Sequence, residues 1–252
     1  MEEDTNNSSF KTQNTKFPKG KLYLIPCGLG GENEFEILPA QTLEIARNLS
    51  EFIVEREKTA RHFLKRIGLK IPQNDLILHD MGKHAENQQF NQFLASCKAG
   101  KDIGVISEAG CPGVADPGAE IVKLAHEAGI EVVPLVGPSS ILMALMASGM
   151  NGQSFAFHGY LPIDKGQRNQ FIKMMENNAQ RRNQQTTQIF METPFRNNQL
   201  LEELLRTCHP NTQLCIACEI SLPKGFCKTK SISDWKKAKV DLHKKPTIFL
   251  MF

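Results

Sequence analysis

The sequence predicts an α/β fold divided into two domains. Three observations carry this. From residue 21 to residue 148, short apolar runs alternate with stretches of helical periodicity. Two of those runs, 103–106 and 131–135, pass straight into loops of Gly, Pro and Ser that launch helices, which is how an α/β sheet presents backbone to a small ligand. Past Gly149-Met-Asn-Gly152 the pattern changes, and two of the later strands could pair antiparallel. The organisation expected is a disordered tail over 1–19, an N-terminal α/β domain over 20–149 and a C-terminal α/β domain over 150–252.

Residues 1–17 are rich in Asn, Ser, Thr, Lys and Glu with little to bury, so order should begin near Lys19. Residues 21–26 form a strand that enters Cys27-Gly-Leu-Gly-Gly-Glu-Asn33. Asn33 stands where a dinucleotide loop would place its third glycine, so this is a weak nicotinamide or flavin signal. A helix follows over 37–48. Residues 52–54 form the second strand, and Glu55-Arg-Glu-Lys-Thr59 sits just past its end, where α/β sites lie. Glu55, Glu57 and Lys58 are candidates there, or else a solvated helix start. A helix through Phe63, Leu64 and Ile67 stops at Gly68. The third strand, 76–78, is followed by His79, a residue whose ordinary pKa suits a general base. A helix spans 86–99.

The stretch from Ile103 to Gly118 organises the chain. Ile103, Val105 and Ile106 read as a buried strand, and the loop after them is longer than the usual two to six residues. Gly110 and Gly113 permit unusual backbone or close approach by a ligand. Asp116 suits an N-cap and Pro117 the first helical position. The second junction, Val136-Gly-Pro-Ser-Ser140, leads into an apolar helix over 141–148, with the two serines as caps, ligand contacts or both.

In the second half, 154–157 is a strand, 159–162 a turn and 165–182 a long helix carrying Lys165, Arg168, Lys173, Arg181 and Arg182. That helix is a solvated face or a receiver of RNA. Further strands are expected at 187–191, 213–220, 226–229 and 247–252, with 213–220 and 226–229 paired across Pro223-Lys-Gly225. Residues 198–207 are an amphipathic helix.

At 252 residues, 40% hydrophobic and 23% charged, the chain is globular, and a net charge of +3 does not by itself argue for nucleic acid. No apolar run is long enough to span a membrane and the polar, acidic start is not a secretory signal, so the cytoplasm is expected. Seven scattered cysteines read as reduced thiols. Cys215-Ile-Ala-Cys218 has the spacing of half a zinc site, but residues three apart on a strand point to opposite faces, so no metal is expected.

Val105–Pro117, Val132-Val-Pro-Leu-Val-Gly-Pro-Ser-Ser140 with its Ala-Ser-Gly149 ending, and Phe155-Ala-Phe-His-Gly-Tyr-Leu-Pro162 occur in this order, and together they resemble the S-adenosylmethionine-dependent tetrapyrrole methylase superfamily. The branch resembled is that of the small-subunit ribosomal RNA 2′-O-cytidine methyltransferases, over residues 21–252. The resemblance implies a parallel-rich N-terminal sheet, a mixed C-terminal sheet, S-adenosylmethionine folded into the cleft between them, and a homodimer. It implies that Gly110, Cys111 and Val114 line the cofactor site, with Ser140 and Ile141 opposite and Leu29 on the first loop. Met191, Ala217 and Thr247 match positions near the adenosine.

The sequence departs from that branch in Cys27-Gly-Leu-Gly-Gly-Glu32, in Glu55-Arg-Glu-Lys58 and in Ser107-Glu-Ala-Gly-Cys-Pro112. The cofactor side is therefore expected to be kept and the acceptor side altered. Glu55, Glu108 and His79 are the candidate bases for a hydroxyl acceptor, and Lys58 could orient an anionic group. The acceptor stays open at this point: RNA, a tetrapyrrole or other small molecule, or a modified protein side chain. A cofactor-binding chain without catalysis is a further alternative.

Overall fold

The structure, a computed structural model, describes residues 18–31, 34–82, 87–180 and 185–252. The expected tail therefore falls almost wholly outside the described residues, as do Glu86, Arg181 and Arg182.

The first lobe is built on β1 (Lys21–Ile25), β2 (Glu51–Val54), β3 (Ile77–Asp80), β4 (Ile103–Ile106) and β5 (Glu131–Pro134), in the order β3-β2-β4-β1-β5 with every pair parallel. Strand alternation divides its core into two layers. Tyr23, Ile25, Phe52, Val54 and Ile106 face α2 (Ala40–Asn48) and α3 (Glu57–Arg66) through Leu43, Ala46, Phe63 and Leu64. Leu22, Ile53, Ile103 and Val105 face the other way, onto Phe90, Cys97, Ile121 and Ala125. These come from α4 (Asn87–Phe93), α5 (Ala95–Lys98) and α6 (Gly118–Glu127). The expected helices over 37–48 and 86–99 are each two pieces. The first is split into α1 (Glu34–Ile37) and α2 at Pro39, and the second breaks at Leu94. A proline inside a helical pattern removes a donor and ends the preceding turn.

The second lobe holds β6 (Phe155–Tyr160), β7 (Thr187–Met191), β8 (Gln213–Cys218), β9 (Phe226–Ser231) and β10 (Thr247–Met251), in the order β6-β7-β10-β8-β9. Only β6 and β7 run parallel, so the sheet is mixed. One face packs Phe190, Leu214, Ile216, Cys218 and Phe249 against α8 (Lys165–Ala179), α9 (Asn197–Thr207) and α10 (Ile232–Trp235). The other packs Ile189, Cys215, Ala217, Ile248 and Leu250 under α7 (Ser140–Ser148), through Ala144 and Leu145. Cys215 and Cys218 thus lie on opposite faces, as strand alternation requires. Helix α7 precedes the boundary expected at 149–152, yet by packing it belongs to the second layer.

Helix α8 corrects one expectation. Arg168 is buried rather than presented to solvent, and its guanidinium grips Glu203 of α9 with Nε to Oε2 at 2.5 Å and Nη2 to Oε1 at 2.7 Å. It is a structural cation, because a guanidinium taken from water needs a paired carboxylate.

Candidate active site between the lobes

The loops at the C-terminal ends of the first sheet face the second lobe. Two of them are laced together: Cys27 and Gly110 exchange both backbone hydrogen bonds, at 2.9 and 3.2 Å, with Gly110 at φ +71°. A left-handed residue here favours glycine. Cys111 Sγ donates to the Pro138 carbonyl at 3.4 Å, tying the loop after β4 to the loop after β5. Gly110 and Cys111 thereby tie the loops after β1, β4 and β5 together. Asp116 stands one place before its expected role. Helix α6 starts at Gly118 with Pro117 at the cap, and Asp116 Oδ1 accepts from Gly113 N at 2.7 Å and Gly118 N at 2.8 Å, closing the loop. Burial pushes its carboxyl above the usual range, against the pull of those two N–H groups.

Between these loops and the second sheet lies a cleft of about 380 Å³. Its first-lobe wall includes Leu29, Glu55, Glu108 and Val114, and Ser140 and Ile141 at the start of α7 complete that side. Strand register builds the opposite wall. Met191, Ile248 and Ala217 are consecutive partners across β7, β10 and β8, with Thr247 beside them. The site residues Leu29, Val114, Ser140, Ile141, Met191, Ala217 and Thr247 converge on this space from separate segments of both lobes. Sequence reasoning missed Ala115, which has φ +62°, and also Tyr160, Glu192 and Glu219. Glu192 lies just past β7 and Tyr160 ends β6, so the strand-end logic applied to the first lobe could have found both. Glu219, at φ +48° in the β8–β9 turn, also stands just past a strand end, but the strand was expected to run through it to residue 220.

Glu55 and Glu108 meet at one edge of the cleft. Glu55 Oε1 accepts from the Glu108 backbone N at 2.9 Å, and Glu108 accepts from the Thr59 hydroxyl. Burial first, then the charges of Asp116 and Glu108, push the Glu55 carboxyl above the usual carboxylate range. His79 is elsewhere. It lies within β3, not past its end. Its Nε2 is 2.8 Å from Oε1 of Glu51, whose other oxygen receives Lys101 at 3.0 Å, and its ring stacks on Phe93 at 4.9 Å. It lines neither this cleft nor its neighbour. Among the described residues no cluster of three or more His, Cys, Asp or Glu is arranged to hold a metal.

A second space of about 380 Å³ opens beside the first. It lies between the loop after β1 and the side of α3 that carries Thr59, His62 and Phe63, and shares Leu29, Glu55, Glu108 and Ala109 with the cleft.

The sequence profile described as Tetrapyrrole (Corrin/Porphyrin) Methylases matches residues 21–224. The chain belongs to this family. It is 28% identical over 235 residues to a protein named ribosomal RNA small subunit methyltransferase I of Buchnera aphidicola subsp. Schizaphis graminum (strain Sg), covering 92% of this chain and 78% of the relative. Among solved structures, the methyltransferase CobJ superposes with TM-score 0.61 at 19% identity, over 92% of this chain and 93% of that one. A uroporphyrin-III C-methyltransferase from Thermus thermophilus, crystallised with S-adenosylhomocysteine, gives 0.54 at 17% identity, over 92% and 97%. The chain is an S-adenosylmethionine-dependent methyltransferase.

The cleft suits that cofactor chemically. Leu29, Val114, Ile141, Met191 and Ile248 offer apolar surface to an adenine. The carboxylates of Glu55, Glu108, Asp116 and Glu219 complement a ligand carrying a sulfonium and an ammonium, while that of Glu192 is paired with Arg196 at 2.6 Å. Its volume lies in the range of small-ligand sites, at the lower end.

Proposed function

We propose that the chain methylates a ribose 2′-hydroxyl of small-subunit ribosomal RNA, with Glu55 as the base. The ribosomal acceptor is supported by the relative named above, which matches nearly the whole chain. The observation that carries the chemistry is the position of Glu55, on the wall common to both cavities and with its proton affinity raised. Bound S-adenosylmethionine supplies a methyl group already activated on sulfur. The residues of this chain need only align the acceptor, keep water out and take one proton. Glu55 takes it from the hydroxyl oxygen as the new C–O bond forms. Glu108 fixes Glu55 through its backbone N–H and is itself held by Thr59. Leu29, Val114, Ser140 and Ile141 hold the cofactor on one side, with Met191, Ala217 and Thr247 on the other. Gly110 and Cys111 shape the loop behind them.

A homodimer is part of this reading. Helix α7 is apolar all round, and Leu142 and Met146, four residues apart on one face, are 51% and 83% exposed. A helix of that composition is normally covered, and a second copy is the partner invoked. The cytoplasm is the location proposed. Among the described residues no helix is long and apolar enough to cross a membrane.

The test is calorimetric titration with S-adenosylhomocysteine, then transfer of labelled methyl to deproteinised small-subunit RNA with mass-spectrometric mapping. The expected result is 1:1 binding per chain and a 2′-O-methylated nucleotide. Product on a base, or transfer only to small molecules or protein, would overturn the acceptor. Light scattering of the wild type and Met146→Glu tests the dimer, and a monomeric wild type removes it.

A further inference from the structure

The second cavity is not needed to hold the cofactor, and its walls have a polarity of their own. We propose that it receives one nucleotide of a single-stranded RNA acceptor, with the ribose hydroxyl at Glu55 and the phosphate on Arg56, His62 and Arg66. This rests on the methyltransferase reading above and specifies its acceptor site.

Four observations lead there. The cavity communicates with the cofactor cleft across a shared edge that includes both Glu55 and Glu108, so a group placed in it meets the donor at those carboxylates. Its other lining charges are basic. Arg56 precedes α3, and His62 and Arg66 follow four residues apart along the helix face that lines the cavity. The lining thus combines two carboxylates on the shared edge with three basic side chains on and beside α3, matching a nucleotide that offers both a hydroxyl and a phosphate. The facing wall is the loop Cys27–Gly31, in which Leu29 offers apolar surface and three of the five residues are glycine. Gly30 and Gly31 have φ +120° and +83°, so other residues are disfavoured there. At about 380 Å³ the space is large enough for a nucleotide-sized unit.

The three basic residues lie outside the cofactor wall, so they can be changed without touching cofactor contacts. The experiment uses the full chain saturated with S-adenosylhomocysteine and a fluorescein-labelled ten-nucleotide single-stranded RNA, followed by anisotropy over a range of salt. The triple variant Arg56→Gln, His62→Gln, Arg66→Gln should bind S-adenosylhomocysteine within twofold of wild type. It should bind the RNA on the order of tenfold more weakly, with the log–log salt slope smaller by about 0.7 for each phosphate that is no longer neutralised. The Arg56→Lys, Arg66→Lys variant should keep the slope. Equal RNA affinity and slope in wild type and triple variant, with cofactor binding intact, overturn the proposal and leave the methyltransferase reading standing. A wild type that fails to bind S-adenosylhomocysteine overturns that reading and the proposal with it. As an independent measurement on the wild type, 4-thiouridine crosslinks from the same RNA should map to the loop after β1 or to α3. Crosslinks confined to the second lobe overturn the proposal.

Discussion

Breaking the ion pair between α8 and α9 should unfold the second lobe far more readily than changing its surface charges would. Arg168 and Glu203 are 6% and 4% exposed, and the guanidinium also donates through Nη1 to the carbonyls of Pro162 and Ile163, at 3.1 and 2.8 Å. Glu203→Met leaves a buried cation with two carbonyl partners and no paired carboxylate, which costs about 3–5 kcal/mol. Arg168→Met leaves a buried carboxylate and also strips both carbonyls, so it belongs at the upper end of that range. The double variant Arg168→Met, Glu203→Met removes both charges together. Its remaining penalty is the two unpaired carbonyls, about 1–3 kcal/mol each at most. The coupling energy should therefore be about 2 kcal/mol or more. Trp235, the single tryptophan, lies in the same core, so its fluorescence in urea reports this lobe directly and sidesteps any separate unfolding of the first. There is also a pH signature. Arg168 holds the Glu203 carboxyl below the usual range. The stabilisation is present above the ordinary carboxylate pKa and is lost as pH falls through the depressed value, so Glu203→Gln should flatten the acid limb. Single costs below about 1 kcal/mol, or a double variant equal to the sum of the singles, would refute this account.

Glu55→Gln should lower turnover by about 10²–10⁴-fold with S-adenosylhomocysteine affinity nearly unchanged. In the wild type, activity should be lost as pH falls through a value above the ordinary carboxylate range, because the base must be ionised, and that limb should vanish in the variant. Gly225→Ala should disturb the cleft through the β8–β9 turn. A Cβ there would lie 1.9 Å from the Glu219 carbonyl oxygen, and a forced shift of about 1–3 kcal/mol should appear in calorimetry as weaker S-adenosylhomocysteine binding. His79→Gln should lower the melting temperature but leave that affinity and turnover intact, since His79 serves Glu51. A tenfold loss of turnover in a folded variant would return it to the site. Cys111→Ala removes the link to Pro138 and should weaken cofactor binding severalfold, with Cys111→Ser retaining most of it.

The first lobe was legible because its determinants are local. Each parallel strand is a short apolar run with its own loop, and site residues sit in the loops just past those runs, as Glu55, Glu108 and Ser140 do. The second lobe's wall depends on register between strands distant in sequence, and no local pattern aligns Met191, Ile248 and Ala217; those of its positions that were expected came from family likeness. His79 was misplaced because the third strand extends through Asp80, so a residue read as lying past the strand is inside it. Arg168 misled because charge alone does not tell a solvated face from a buried pair, and its partner Glu203 is a helix away. The slot beside α3 was not foreseen, since it exists only where α3 and a glycine loop from another strand end face each other.

The anchoring of residues 136–148 has a mechanical consequence. Thr42 Oγ1 holds the Val136 carbonyl at 2.8 Å, Gly137 lies so close to Pro26 that a Cβ would stand 2.3 Å away, and Cys111 holds Pro138. A few residues later Ala144 and Leu145 are packed into the second sheet, and Thr229 holds the Ser148 carbonyl at 2.6 Å. The covalent joint between the lobes is thereby confined to the turn at Ser139 and the first turn of α7, the stretch that presents Ser140 and Ile141. A ligand resting on Ser140 and Ile141 therefore touches the one short stretch tied to both lobes at once, so loosening either set of anchors should be felt directly at the cofactor site.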